Sequence, residues 1–156
     1  MTIAASVQDH LAREGVPYNI ITHVHTRDSS HSAQAARVPG DQLAKCVMLE
    51  DDNGYVMAVI PTTHKVDLGA VHRELNRELG LATEREFSDL FKDCEPGAIP
   101  PLGSAYGIDV VLDHNLAAAP DVYFEAGDHT SLIHVSGRDF MKLMAGWPHR
   151  HISHHI

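Results

Sequence analysis

The stretch LAKCVMLEDDNGYVMAVIP, residues 43–61, decides the fold class of this 156-residue chain. Two runs rich in apolar and β-branched residues, 43–50 and 55–61, flank the turn sequence DDNG. Asn-Gly between two such runs is a strong hairpin signal, because both residues tolerate the positive φ angles of tight hairpin turns. The sequence therefore predicts an antiparallel β-hairpin over 43–61.

Helices and further strands are predicted on both sides of this hairpin. Ser6 is expected to cap a helix over 6–14 that ends at Gly15, and Ser32 to open a short helix over 32–38. The other predicted elements are strands over 18–25, 108–113, 122–127 and 132–136, and helices over 69–80, 83–91 and from Ser136 onward. This mixed order predicts an α+β fold rather than a doubly wound parallel sheet.

Length and composition indicate one domain and exclude several classes of protein. We predict a single domain over residues 1–147, followed by a histidine-rich C-terminal tail over 148–156. The net charge of −9 argues against a general DNA- or RNA-coating protein. No apolar run is long enough to span a bilayer, the N-terminus does not read as a signal peptide, and two cysteines give no disulfide framework. A reduced cytoplasmic protein without membrane partners is expected.

Lys45 stands at the head of the apolar run in the first hairpin strand. Because side chains alternate between the two faces of a strand, Lys45 and Cys46 cannot both face the core. A lysine at a strand edge discourages edge-to-edge pairing, whereas a lysine in a pocket binds a phosphate or carbonyl oxygen as a point charge. The spacing alone favours the edge.

The loop EPGAIPPLG, residues 95–103, combines two glycines with three prolines. Proline fixes φ and glycine permits positive φ, so the backbone of this Pro/Gly loop is expected to be stiff. Stiff backbone beside a strand can hold N–H groups in fixed directions, as an oxyanion site requires. A plain connector is the alternative interpretation.

The sequence offers only weak support for a metal site or for a catalytic nucleophile. His23 and His25 alternate on a predicted strand, and further histidines crowd the C-terminal tail, but no HExxH helix is present. No GxSxG elbow supports a serine hydrolase, and Cys46 lies in an apolar run that is typical of a core. Neither a dedicated metal site nor a protein nucleophile is expected.

Three stretches taken together carry a family resemblance. Lys45 heads a strand, GAIPP follows at residues 97–101, and VYFEAGDHTSLIHVSGRDF occupies 122–140. In this order they resemble the YbaK/ProX family of aminoacyl-tRNA deacylases, which is related to the editing insertion domain of bacterial prolyl-tRNA synthetases. The resemblance implies a compact mixed, partly barrel-like sheet surrounded by helices, and hydrolysis of the ester that joins a wrong amino acid to tRNA. It implies no metal or organic cofactor.

The resemblance also implies roles for individual residues. Lys45, Gly97 and Pro101 match the family's catalytic positions, and Lys45 would hold the terminal phosphate or ribose while a ribose hydroxyl helps to activate or position water. Because proline has no N–H, the loop's backbone groups that contact substrate would belong to Gly97, Ala98, Ile99, Leu102 and Gly103.

The last third of the chain is expected to complete the substrate site. Some relatives place a histidine in the last sheet strand where this chain has Glu125, which either binds the substrate α-ammonium or faces solvent. His129 and Thr130 are candidate rim residues, whereas His134 is expected to be structural. Candidates for the pocket wall are Ile20, Met48 and Ile99.

Mischarged aminoacyl-tRNA is therefore the expected partner, with DNA excluded. The acidic balance predicts weak capture of tRNA without a synthetase or an elongation factor. Two alternatives stay open: an inactive module of the same fold that senses aminoacyl-tRNA or an amino acid, and, more distantly, a protein that binds metal through its histidines. Alanine, cysteine, serine, threonine and small non-protein amino acids all remain candidate acyl groups.

Overall fold

The computed structural model describes residues 3–26 and 28–156, and all the elements below lie within those ranges. In chain order they are α1 (Ala5–Glu14), β1 (Asn19–Thr22), α2 (Ser29–Ala36), β2 (Leu43–Asp51), β3 (Gly54–Pro61), β4 (His64–Val66), α3 (Leu68–Leu75), β5 (Gly80–Leu81), α4 (Glu84–Phe87), a 3-10 helix (Ser88–Phe91), a second 3-10 helix (Gly103–Tyr106), β6 (Asp109–Asp113), α5 (His114–Ala117), β7 (Asp121–Glu125), β8 (Ser131–Ser136), α6 (Gly137–Leu143), β9 (His149–Arg150) and β10 (Ser153–His155).

Most of these strands form one mixed sheet in the order β1-β8-β7-β2-β3-β6-β9, with β5 added beside β2. The predicted hairpin lies at its centre, where β2 and β3 pair antiparallel from Ala44↔Pro61 to Asp51↔Gly54. The hairpin joins the rest of the sheet through two parallel contacts, β2 with β7 and β3 with β6. The predicted mixed sheet with surrounding helices is confirmed.

The two faces of the central hairpin are buried in different layers. On β3, Met57 and Val59 pack into a large core with α1 and α6, whereas Val56, Ala58 and Ile60 pack into a smaller core with α3. Successive side chains of β3 therefore alternate between the two cores, as expected for a strand that is covered on both faces. None of the helices in the described ranges has the length and apolar character to cross a membrane.

Two of the predicted helix caps are wrong. The first helix begins after Ala4 without a side-chain cap, and the N–H of Ser6 donates instead to Asp93 Oδ2 at 3.0 Å. Helix α2 begins earlier than predicted, because the Asp28 side chain caps it and leaves Ser32 inside the helix. Asp is as good a cap as Ser, since either oxygen can accept from an N–H of the first turn.

Two predicted element ends also differ from the structure. Helix α3 stops at Leu75, because Asn76 adopts φ 54° four residues before Gly80. Strand β1 ends at Thr22, so His23 and His25 lie in the connection to α2 and do not share a strand face. By contrast, the predicted end of α1 at Gly15 and the cap of α6 by Ser136 are confirmed.

The C-terminal tail is attached to the rest of the molecule. Strand β9 pairs with β6, and β10 pairs with β4. Ile152 is fully buried, and the hydroxyl of Ser153 donates to the buried carboxylate of Asp113 at 2.6 Å.

Candidate functional site

The site begins with a gap along one side of β2. On its β3 side the strand is paired from Ala44 to Asp51, but on the other side β7 pairs only with Leu43 and Ala44, and β5 only with Leu49 and Glu50. In the described part of the chain, residues 45–47 have no strand partner on that side, and Met48 O accepts from the N–H of Ala82, just beyond β5, at 2.9 Å. The free edge leaves room for a ligand.

A cavity of about 320 Å³ opens at this free edge, a size typical of small-molecule sites. Its walls come from five parts of the chain: β2, the end of β3, the start of α2, α4 and the Pro/Gly loop. The lining residues are Asp28, Ser29, Lys45, Cys46, Met48, Thr62, Glu84, Phe87, Gly97 and Ile99. Lys45 and Cys46 both reach the cavity, although they lie on opposite faces of β2, because the cavity straddles the strand edge.

Lys45 presents a half-buried cation to the cavity. Its Nζ donates to the carbonyl oxygen of Thr62 at 3.3 Å. Burial lowers the pKa of Lys45, and the nearby carboxylate of Asp28 partly opposes that shift. A lysine ammonium has three N–H donors, so the contact with Thr62 leaves donors for a phosphate, a hydroxyl or a carbonyl oxygen.

The Pro/Gly loop is tied to the connection between β7 and β8. The N–H of Glu95 donates to Gly127 O at 2.7 Å, and the N–H of Gly127 donates to Ala98 O at 2.9 Å. The N–H of Ala98 donates back to Glu95 O at 3.1 Å, and Gly97 between them adopts φ 79°. These bonds hold both flanks of Gly97, as the predicted stiffness of the loop requires.

Two residues of this loop line the cavity and have a backbone N–H without a protein acceptor in the described ranges. Within residues 3–26 and 28–156, the N–H groups of Gly97 and Ile99 donate to no protein acceptor, whereas that of Ala98 is used by Glu95. Both residues line the cavity. Because a backbone N–H without any partner is costly, these two groups are suited to hydrogen-bond a bound oxygen.

A buried polar cluster lies behind the loop and α2. Glu125 is only 3% exposed, and its carboxylate accepts hydrogen bonds from the hydroxyls of Ser29, at 3.3 Å, and Ser32. His129, also 3% exposed, contacts Glu125 Oε1 through Nδ1 at 3.2 Å and Pro96 O through Nε2 at 2.7 Å. The possibility that Glu125 faces solvent is thereby excluded.

The protonation of this cluster follows from its burial and contacts. Burial raises the pKa of Glu125, against the opposing effect of its hydrogen bonds from Ser32 and His129. For His129, burial lowers the pKa, but the Pro96 carbonyl and the Glu125 carboxylate together raise it above its usual value. Glu125 and His129 therefore lose their protons at higher pH than the same side chains do in water.

The remaining predicted site residues do not line the cavity. Ala98, Pro101 and Leu102 are buried, and Gly103 is packed so closely that a Cβ would lie 2.6 Å from Ile108 O. The N–H of Thr130 donates to Asp128 Oδ1 at 3.1 Å. Of the predicted pocket wall, Met48 and Ile99 line the cavity, whereas Ile20 is 51% exposed on β1.

His134, expected to be structural, contacts Asp121 Oδ1 through Nε2 at 2.8 Å and stacks on Tyr123.

In the described ranges no group of three or more metal-ligating side chains is present. Burial raises the pKa of the Cys46 thiol, and its Sγ contacts Ile99 O at 3.4 Å. The thiol is thus poorly suited to act as a nucleophile.

Several residues that line the cavity were not predicted from the sequence. Asp28 and Ser29 could have been found from the N-cap signal of DSSH, but the predicted start at Ser32 displaced it. Glu84 and Phe87 come from a one-turn helix that closes the far wall, and Thr62 follows β3. Nothing in the local sequence around these three residues marks them as part of a site.

Solved structures share this fold at low sequence identity. The hypothetical protein APE2540 superposes with a TM-score of 0.83 at 21% identity, over 96% of this chain and 99% of that one. A candidate trans-editing enzyme for prolyl tRNA synthetase gives a TM-score of 0.82 at 22% identity, over 98% of this chain and 99% of that one. A candidate signal transduction protein from Marinobacter aquaeolei VT8 gives 0.78 at 22%, over 97% of this chain but 31% of that one.

Among curated proteins, none matches the sequence significantly. The model of the aminoacyl-tRNA editing domain matches residues 23–143. That range holds Lys45, the Pro/Gly loop and every residue that lines the cavity. The chain belongs to the aminoacyl-tRNA editing domain family.

Proposed function

We propose that the protein hydrolyses the ester of mischarged aminoacyl-tRNA, and that the cavity at the free edge of β2 holds the aminoacyl-adenosine end. One observation carries the proposal: in a chain of the editing-domain family, a single cavity is lined by a half-buried lysine and by two loop residues, Gly97 and Ile99, whose N–H groups have no protein acceptor in the described part of the chain. Such a cavity can bind an anion or a carbonyl oxygen together with a polar ribose.

The chemistry needs positioning more than a protein nucleophile. A water molecule attacks the ester carbonyl carbon, the bond between that carbon and the ribose oxygen breaks, and the water's proton ends on the leaving ribose oxygen. The neighbouring ribose hydroxyl helps to position or activate that water. Holding the carbonyl and the water in register can contribute several kcal/mol, about 7 or more in well-oriented systems. The raised pKa of Cys46 supports a mechanism without a thiolate.

Lys45 and the Pro/Gly loop have separate tasks in this mechanism. The Lys45 ammonium binds the terminal phosphate or ribose, which suits a flexible point charge. The N–H groups of Gly97 and Ile99 bind the carbonyl oxygen as it gains negative charge. Pro100 and Pro101 donate nothing and are buried, so their part is to keep the loop in shape.

The choice of tRNA and of helper proteins belongs to the same proposal. One structural neighbour is described as a candidate trans-editing enzyme for prolyl tRNA synthetase, which makes tRNA for proline the first substrate to test. The net charge of −9 favours weak intrinsic binding of tRNA. We expect a synthetase or an elongation factor to increase the rate at low tRNA concentration.

Deacylation of charged tRNAs tests the proposal. The tRNA for proline would be charged with alanine, cysteine, serine, threonine or proline and mixed with wild type or Lys45→Ala. Rapid loss of one non-cognate ester, slowed at least about 100-fold by the substitution, is expected. Survival of every ester at high protein concentration would overturn the hydrolase proposal for these substrates. Saturable binding of the same tRNAs without turnover would then support the sensing module.

A further inference from the structure

Two walls of the cavity are joined by one buried hydrogen-bonded pair. Glu125 accepts from the hydroxyl of Ser29, which lines the cavity at the start of α2. His129 contacts the carbonyl oxygen of Pro96, the residue immediately before Gly97. Because Glu125 and His129 contact each other at 3.2 Å, a continuous path runs from the α2 wall to the loop wall.

The protons on His129 are determined by its partners. A carbonyl oxygen can only accept, so Nε2 must carry the hydrogen that it shares with Pro96. Nδ1 then either donates to an ionised Glu125 or accepts from a protonated one. In both states the bond to the Pro96 carbonyl is kept, so the loop contact does not depend on which partner of the pair holds the second proton.

Direct contact between His129 and substrate is excluded in this arrangement. Both ring nitrogens are occupied by protein groups, the residue is 3% exposed, and it does not line the cavity. The backbone of His129 also contacts the Pro/Gly loop and the segment before α2. Its N–H donates to Glu95 Oε2 at 3.3 Å, and its carbonyl accepts from the N–H of Thr26 at 3.1 Å.

We infer that His129, held by Glu125, is a positioning residue that fixes the Pro96–Gly97 peptide relative to the start of α2. This role replaces direct substrate binding for both residues and rests on the proposed function. Displacement of the loop by about 1 Å is enough to reduce a rate by about 100-fold when catalysis depends on positioning. The effect is expected in kcat, with little change in KM, because no substrate contact is removed.

Two substitutions at one position separate the two hydrogen bonds. His129→Gln places an amide nitrogen near the original Nε2 and can still donate to Pro96. His129→Asn places its amide near the original Nδ1 and can reach only Glu125. Each variant loses one buried bond, so similar losses of thermal stability are expected. We expect His129→Asn to reduce kcat by about 100-fold and His129→Gln to restore it to within about fivefold of wild type.

Amide hydrogen exchange provides a second readout that needs no activity. His129→Asn is expected to accelerate exchange of the Ala98 amide at least about tenfold more than His129→Gln does. Equal kcat and equal exchange in the two variants would overturn the inference, as would a change confined to KM. If wild type hydrolyses no ester, the proposed function fails, and hydrogen exchange alone still decides whether His129 holds the loop.

Discussion

Gly97→Ala tests the conformation on which the site depends. Gly97 adopts φ 79°, where a residue with a Cβ is disfavoured by about 1–2 kcal/mol. The bonds that join Glu95 and Ala98 to Gly127 prevent relief of this strain by movement of the flanks. Since about 1 kcal/mol shifts Tm by roughly 2–4 °C at this chain length, a decrease of about 2–8 °C is expected.

The same substitution places a methyl group on a residue that lines the cavity. We expect kcat/KM for the preferred ester to fall by at least about tenfold. Gly146→Ala is the matched control, because Gly146 adopts φ 90°, has open space around its Cβ position and lies outside the cavity. It should lose similar stability and keep its activity.

Differential scanning fluorimetry and steady-state deacylation measure the two effects separately. A Gly97→Ala variant as stable as wild type would refute the assigned loop conformation. A variant that loses stability in step with Gly146→Ala but keeps full activity would refute the assignment of this loop to the substrate site.

Two further outcomes follow from the structure. Met48→Ala enlarges the cavity and should raise kcat/KM for larger acyl groups relative to smaller ones by about tenfold, at a stability cost of about 2–5 kcal/mol; an unchanged preference would remove Met48 from the pocket wall. The pKa values of Glu125 and His129 are raised above their ordinary values of 4.5 and 6.5, so the folded protein keeps protons that the unfolded chain releases, and stability must fall as pH rises above those values. The free energy of unfolding of wild type, measured with denaturant relative to Glu125→Gln, should therefore decrease as pH rises above about 4.5. His25 and Glu95, which also face His129, are the same in both proteins, so a pH-independent difference would contradict the assigned shifts.

The elements with strong local signals were predictable from the sequence. The hairpin follows from Asn53-Gly54 between two apolar runs, and the α6 cap follows from Ser136, whose hydroxyl accepts from the N–H of Asp139. Serine is a good capping residue, but the N-cap position of α1 is Ala4, two residues before Ser6. There the N–H of Ala4 donates to Ala126 O at 2.7 Å, a partner that no local pattern reveals.

The site was only partly predictable, because its geometry depends on distant pairing. Lys45 and Gly97 could be singled out by residue type and by resemblance. The free edge of β2 could not be foreseen, since it depends on where β5 and β7 stop pairing with it. Glu125 looked ambiguous for the same reason: its partners Ser29 and Ser32 are 96 and 93 residues away in the chain.

The most direct test of the account locates the aminoacyl end on the protein. An aminoacyl-adenosine in which an amide replaces the ester would be titrated into ¹⁵N-labelled protein and followed by NMR. Saturable shifts centred on the amides of Lys45, Gly97 and Ile99 are predicted. Shifts centred instead on the separate cavity beside His64 and His155, or no saturable shifts at all, would contradict the proposal that the free edge of β2 holds the substrate.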